Sequence, residues 1–512
     1  MAFTSASFIV LTIASVLLYY IVPKKAQWCI LLLASAAFYM AGSVKAFAWV
    51  VLVAGMTWVT GLILGRYNAI KPADKAQKAQ IQHKKKQIAV ICAVCCFGLL
   101  YAMKYWNFTL ELLPSALGNH IPRWDFVVPL GLSFFIFQSM SYVIDVYRGK
   151  YAPERNPLRY GLFVSFFPQM VQGPISRFDQ LAPQLTAERK LCWDDLQIGI
   201  QLALWGYFKK IVIADRAAVL VNNVIMENCP YGGAVIALGI LFYCIQLYCD
   251  FSGGIDMVLG VAQLFGIEMM PNFRQPYFST SLGDFWRRWH ISLGAWMRDY
   301  LFYPFALTKP MQRFGKWATG HWGKHFGRVL PAAVANLLVF AVVGIWHGPQ
   351  AHYLVWGLYN GMVIALADLL EPAFKKMNTA LHIPTESRTW HIFRILRTFI
   401  IVNIGWYFDR VGLSLGAAYL RNTFVSFRPE ALTAEAPAAF AAVTGPAWGI
   451  VAISTVLVFV HSLLAELGRE PYTEVQRLPL ALRWGLYYLV MFLVTLSFIC
   501  VTETSGFLYA NF

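Results

Sequence analysis

The feature that most constrains this chain is the repetition of apolar runs, many near twenty residues long, bounded by charge clusters or by Pro and Gly. A hydrocarbon core about 30 Å thick needs roughly 20 such residues per helix. Candidate windows fall at 3–22, 27–41, 47–64, 88–103, 127–146, 196–214, 234–248, 255–265, 329–345, 353–370, 392–407, 448–464 and 484–501. The expectation is an all-α polytopic membrane protein with about 11–13 transmembrane or re-entrant helices. Composition agrees. Charged residues are 13% of the 512, about half the soluble norm of roughly 25%, while 58% are hydrophobic and 16% aromatic. Soluble enzymes, disordered chains and disulfide scaffolds are excluded, the last because nine Cys are too sparse.

The charge balance of +16, from 42 Lys and Arg against 26 Asp and Glu, reads as a topology signal rather than a nucleic-acid footprint. The loop 66–87 carries Arg66, Lys71, Lys75, Lys78, Lys84, Lys85 and Lys86 against Asp74 alone, and belongs in the cytoplasm. Counting back three helices puts the N-terminus outside and Lys24-Lys25 inside. The first run ends in positive charge and lacks a small-residue cleavage site, so it reads as a permanent helix of a multi-pass plasma-membrane protein in contact with lipid. A second basic segment, Lys309–Arg328, is also placed inside. No hydrophilic linker or repeat divides the chain, which predicts one domain over 1–512. The half-apolar, Pro-rich stretch 152–185 is a poor span and reads as re-entrant or interfacial, which implies a cavity.

Ionisable residues at membrane depth are functional candidates by default. The densest region runs from Asp250-Phe-Ser-Gly-Gly-Ile-Asp256 through Pro271-Asn-Phe-Arg-Gln-Pro-Tyr277 to Asp284-Phe-Trp-Arg-Arg-Trp-His290-Ile-Ser and Trp296-Met-Arg298-Asp299-Tyr. On one helix, Trp286, Trp289, Leu293 and Trp296 would share a face, with Arg287, Arg288 and Arg298 elsewhere, and Asp284 would pair with Arg287 and Arg288. His347 closes an apolar helix interrupted by Asn336. A buried imidazole stays neutral and can accept a proton. Alone, it is more often a packing group, but His290 beside Trp289 offers a second imidazole. Tyr509 carries a phenol able to form an ester. The pattern around Ser414 recurs by chance, Cys92, Cys95 and Cys96 read as packing, and no metal-ligand spacing occurs.

The segments 271–277, 284–293 and 296–301, with Phe166-Phe-Pro-Gln-Met-Val-Gln172-Gly-Pro-Ile-Ser-Arg177 and Gly344-Ile-Trp346-His347-Gly, together resemble the signature of the membrane-bound O-acyltransferase superfamily. The branch resembled is bacterial: polysaccharide and peptidoglycan O-acetyltransferases and the D-alanyl transfer protein of teichoic acids. The resemblance covers about 120–370. It implies a ring of helices around a central tunnel, with His347 essential to transfer and His290 nearby. It also implies supporting roles for Gln172, Asp284, Trp286, Arg287, Arg288, Trp289, Arg298, Asp299, Asn336 and Trp346. The tail 507–512 resembles a terminal F-x-Y-x-x-F in which the tyrosine is an acyl relay. After Pro304 the alginate type usually continues with a Gly-Gly-Asn-like turn, whereas this chain has Phe305-Ala-Leu-Thr-Lys-Pro310.

The function implied is transfer of an acyl group, acetyl first and D-alanyl as the alternative, from a cytoplasmic thioester to an extracytoplasmic polymer through His347 and an acyl-Tyr509. The donor would be acetyl-CoA or an acyl carrier protein drawn to Lys309–Arg328, no cofactor being bound permanently, and a separate extracytoplasmic transferase would unload the tyrosine. A hollow should then reach position 347 from both faces. A transporter or flippase predicts inverted repeats, and none is present. A scaffold predicts that His347 and Tyr509 are dispensable.

Overall fold

The computed structural model describes residues 2–113, 121–124, 126–441, 443–500 and 506–508. It is all-α: 77% of it is helical, and no strand forms among the described residues. Among the described residues, six helices are long and apolar enough to cross a membrane: Val44–Asn68, Lys75–Lys104, Gly233–Gln263, Lys324–His347, Gly445–Glu466 and Leu480–Ile499. A seventh would be the pair Ala351–Leu369 and Glu371–Ala380, bent by 57°. Their outward faces carry bare aliphatic and aromatic side chains such as Val94, Ile453 and Phe492, each at least 60% exposed. Lipid covers such a surface at no hydrophobic penalty.

The chain divides into two compact units, 1–203 with 254–270, and 204–253 with 271–512. The first begins with α1 (Ala6–Ile21), α2 (Gln27–Met40), α3 (Val44–Asn68) and α4 (Lys75–Lys104). The basic loop expected at 66–87 is mostly helix. Asp74 caps it by accepting the Gln77 N–H at 2.7 Å, and the Lys, Ala and Gln that follow are strong helix formers, so α4 starts well before its apolar run.

Beyond α5 (Trp106–Leu112) and α6 (Leu132–Arg148), the stretch expected to be re-entrant consists of α7 (Pro157–Ser165), α8 (Phe178–Thr186) and an irregular segment between them. Residues 166–177 are buried throughout. Their backbone finds protein partners in place of water: the Phe167 N–H donates to Ser35 Oγ at 3.1 Å. The Gln169 and Gln138 amides both donate to the Phe163 carbonyl, at 3.0 and 2.8 Å. Gly131, at φ 72°, brings its backbone so close to the Met170 carbonyl that a Cβ would lie 1.9 Å away.

One expectation about helix breaks needs correction. The window 196–214 is helical throughout, α9 (Trp193–Tyr207) continuing through a π-helical turn, Phe208–Ala214, into α10 (Asp215–Val224). The windows 234–248 and 255–265, however, fuse into one helix, α11 (Gly233–Gln263). Its Gly253 is a contact point and not a breaker, since a Cβ there would meet the Gly206 carbonyl at 2.9 Å.

The second unit continues with α12 (Leu282–Arg288), α13 (Ile291–Met297), a π-helical turn at Arg298–Phe302 and α14 (Tyr303–Ala306). Then come α15 (Lys309–Trp322), α16 (Lys324–His347), α17 (Ala351–Leu369), α18 (Glu371–Ala380), α19 (Arg388–Arg410) and α20 (Leu413–Val425). After two short turns, α21 (Ala431–Ala434) and α22 (Ala436–Phe440), follow α23 (Gly445–Glu466), α24 (Pro471–Gln476) and α25 (Leu480–Cys500). The helices α16 and α17 form a hairpin closed by Gly348, Pro349 and Gln350.

Candidate active site

The Trp-rich motif does not form the single helix that its spacing suggests. Helix α12 stops at Arg288, and His290 adopts φ 48°, ψ 52°, a left-handed conformation that L-residues with a side chain rarely take. Neighbouring backbone holds it there. Arg274 N–H donates to the Arg288 carbonyl at 2.9 Å, and Ile291 N–H to the Asn272 carbonyl at 3.0 Å. Phe273 and Trp289 face each other as an antiparallel bridge. Asn272 Oδ1 accepts the Ser292 N–H at 2.9 Å and lies 3.4 Å from His290 Nδ1. The Pro271–Arg274 motif is therefore a clamp on the turn that aims His290. Strain held this way marks functional sites more often than inert ones.

Trp286, Trp289 and Trp296 consequently do not share one helix face. Trp289 is buried in an aromatic nest, stacked on Phe285 and in contact with Phe273 and Trp406. Trp286 donates its indole N–H to Asn360 Oδ1 at 3.0 Å and packs against Trp356. Asp284 pairs with Arg287 at 3.5 Å and with Arg288 at 3.2 Å, as their spacing predicts. Arg288 also reaches Glu466 at 2.7 Å, which makes it a tie between helices.

His290, 2% exposed, and His347, 4% exposed, are both held by aromatic rings. Trp346 touches both, its centroid 6.0 Å from the His290 ring and 5.0 Å from the His347 ring. His347 further packs on Trp356 at 4.6 Å and Tyr353 at 6.0 Å, and His290 on Phe251 at 4.8 Å. Burial pushes the His290 imidazole down to about 3, so it is neutral at working pH.

A cavity of about 1290 Å³ opens within this unit. Of the sequence-predicted residues, Trp286, Arg287, Trp289, His290, Arg298 and Asn336 line it. His347 does not; Val343, one turn earlier on α16, does. Asp284, Arg288, Asp299 and Trp346 stand outside the wall as well, Asp299 being paired with Arg298 at 2.9 Å. Gln172 belongs to the first unit, where it is fully buried against Gly254. Tyr509 lies outside the described residues.

The wall also shows what sequence reasoning missed. Lys375, Arg394 and Arg397 line the cavity beside Arg287 and Arg298, against one acid, Asp368. Arg287, Arg298 and Lys375 each pair with a carboxylate, whereas Arg394 and Arg397 donate to neutral partners, Thr280 Oγ1 at 3.2 Å and the Thr280 carbonyl at 3.0 Å. Two arginines three apart inside the apolar window 392–407 were the available signal. The basic segment Lys309–Arg328 borders a different, smaller cavity of about 640 Å³, to which Lys316, Lys324 and Arg328 contribute. No cluster of metal-ligating side chains occurs among the described residues.

Residues 154–321 match the family model of the membrane-bound O-acyltransferases, a range that takes in the His290 turn and its clamp. A probable alginate O-acetylase from Pseudomonas syringae pv. tomato is 33% identical over 400 residues, covering 76% of this chain and 68% of that one. The chain belongs to the membrane-bound O-acyltransferase family. It is also similar to the peptidoglycan O-acetyltransferase of Helicobacter pylori, at 28% over 66% of this chain and 64% of the relative. A teichoic acid D-alanyltransferase of Bacillus subtilis is 29% identical over 60% of this chain and 74% of its own. This acyltransferase is thus a multi-pass membrane enzyme, as its apolar helices and its relatives both require.

Proposed function

We propose that this acyltransferase takes an acetyl group from a thioester on the cytoplasmic side and passes it across the membrane for O-acetylation of an extracytoplasmic polysaccharide. The observation that carries the reading is the cavity: it is large enough for a cofactor-sized donor arm, an imidazole stands on its wall, and it is lined by five cations against one carboxylate. Such a field suits the phosphates of acetyl-CoA or of the phosphopantetheine arm of an acyl carrier protein. The acetyl choice is supported by relatives that are named as alginate and peptidoglycan O-acetylating enzymes.

In this reading His347, buried one turn beyond Val343 of the cavity wall, is the general base, and the reacting groups must reach it past that wall. Its neutral ring accepts the phenol proton of Tyr509 as the oxygen attacks the thioester carbonyl carbon. The new C–O bond forms as the C–S bond breaks, and the departing thiolate takes the proton back from the imidazolium. The products are acyl-Tyr509 and a free thiol. A separate extracytoplasmic transferase then moves the acyl group from the aryl ester to a sugar hydroxyl. Proton transfer of this kind contributes about 10²–10⁴-fold, and excluding water protects the thioester. His290, the wall imidazole, and Trp346 would orient the reacting groups.

The test is mass spectrometry of the peptide containing residue 509 after purified protein is given isotopically labelled acetyl-CoA, with D-alanyl-loaded carrier protein as a parallel arm. A labelled acetyl adduct that is lost in His347→Ala and Tyr509→Phe is expected. A D-alanyl adduct in its place would change the acyl group. No adduct in the unaltered protein would leave a scaffold or a transporter, and transfer undiminished in both variants would remove His347 and Tyr509 from the chemistry.

A further inference from the structure

Sequence reading passed over Lys209 and Lys210, two adjacent cations in the middle of an apolar window. Both are buried, on the π-helical turn 208–214. Single π-helical turns of this kind recur at functional sites. Lys209 Nζ donates to Ser252 Oγ at 2.8 Å. Lys210 Nζ lies 2.7 Å from Asp215 Oδ1 and 2.7 Å from Asp250 Oδ1, and the three side chains are at most 3% exposed. Charged groups in so dry an interior persist only where hydrogen-bond donors and acceptors surround them.

Segment 506–508 engages this cluster at three successive residues. The Gly506 carbonyl accepts from Lys210 Nζ at 3.4 Å. The Phe507 ring lies 4.8 Å from that ammonium and is 4% exposed. The Leu508 N–H donates to Asp250 Oδ2 at 3.0 Å. Two of the contacts are made by backbone, so only position 507 demands a particular side chain, an aromatic one. The residue after Asp250 is Phe251, whose ring meets His290 at 4.8 Å. The segment's partner and the histidine's are therefore consecutive residues of one helix.

We propose that Lys210, Asp215 and Asp250 form a buried receptor for the chain's own segment 506–508, and that they act as positioning residues for residue 509. Residue 509 is joined to this segment by a single peptide bond, so whatever holds 506–508 also tethers it. The positioning role rests on the acyl-Tyr509 reading above; the docking does not.

Lys210→Met would strand two buried carboxylates and threaten folding, so the test alters the segment instead. Leu508→Pro deletes the amide donor and Phe507→Ala the ring, leaving the triad intact, while Phe507→Tyr keeps an aromatic. Full-length protein in detergent is followed for the rate of trimming by carboxypeptidase Y and for the rate of acyl-adduct formation with labelled acetyl-CoA. At least tenfold faster trimming is expected for Leu508→Pro and Phe507→Ala, with Phe507→Tyr unchanged. The kcat for adduct formation should fall at least tenfold in the first two, with the KM for acetyl-CoA unmoved. Unchanged trimming in Leu508→Pro overturns the docking. Faster trimming with undiminished adduct formation overturns the positioning role. Full acyl output from Tyr509→Phe removes the relay reading, and the trimming rates still decide whether the segment is held.

Discussion

Phe251 meets the His290 ring edge-on, their centroids 4.8 Å apart at an interplanar angle of 85°. An imidazole in a left-handed turn has little backbone freedom, and this ring, Trp346 and the Asn272 side chain all bear on where its nitrogens point. Phe251→Ala should destabilise the fold by about 3–5 kcal/mol, the usual toll for emptying a buried aromatic site. Phe251→Leu should lose about half of that while still lowering kcat. Thermal unfolding in detergent beside acyl transfer checks both. Full kcat in Phe251→Leu would mean that the orientation of His290 is irrelevant to turnover.

The hairpin of α16 and α17 depends on glycines at its contact line. A Cβ on Gly357 would lie 2.2 Å from the Phe340 carbonyl, and one on Gly344 would lie 2.4 Å from the Tyr353 carbonyl. Backbone cannot rotate aside, so Gly344→Ala and Gly357→Ala must push the helices apart, at about 1–3 kcal/mol each. At Gly361 the nearest atom is the Phe340 Cβ at 3.1 Å, and Gly361→Ala should be milder. Gly344 sits one turn before His347, so its alanine variant should also lose transfer out of proportion to stability. Equal melting temperatures for the three variants would refute the close-approach account.

How far the sequence could be read follows from what each signal measures. Apolar length reports the kind of element, and the all-α membrane class followed from it. Spacing on an ideal helix failed at Trp289 and His290, because a break set by tertiary backbone bonds from Pro271–Arg274 leaves no local mark. Gly253-Gly254 misled in the opposite sense, since glycine signals a break and a close approach alike. Asp284 with Arg287 and Arg288 was legible because i,i+3 and i,i+4 neighbours need only the helix itself. Arg394 and Arg397 were not, because their role depends on a cavity assembled from residues more than a hundred positions apart.

Those two arginines define a third prediction. Their side chains face neutral oxygens of Thr280, so the charge is available to an anion in the cavity. Arg394→Gln and Arg397→Gln should each raise the KM for acetyl-CoA about tenfold with kcat changed less than threefold, and the double variant should lose most of the salt dependence of KM. Initial rates at low and high ionic strength, measured in nanodiscs, make the check. A salt-insensitive KM in the unaltered enzyme would argue that the donor phosphates bind elsewhere.

The last prediction concerns acid. His290 is held at about 3 by burial, whereas an exposed histidine titrates near 6.5. Below about 6.5 the unfolded chain therefore binds a proton at this position that the native protein refuses. The linkage sign follows: stability from this group is complete above about 6.5 and is lost as pH falls toward 3, by up to about 1.4 kcal/mol per pH unit. His290→Asn should flatten that slope while lowering stability at neutral pH through altered packing against Phe251. Unfolding midpoints at pH 7.5, 6.5, 5.5 and 4.5 for both proteins test it, and parallel curves would show that the ring titrates normally. Because His290 does not change charge between pH 5 and 8, an acid limb of activity in that range must belong to another group. His290→Gln should then lower the plateau rate without moving the midpoint of that limb, and a shifted midpoint would return the titration to His290.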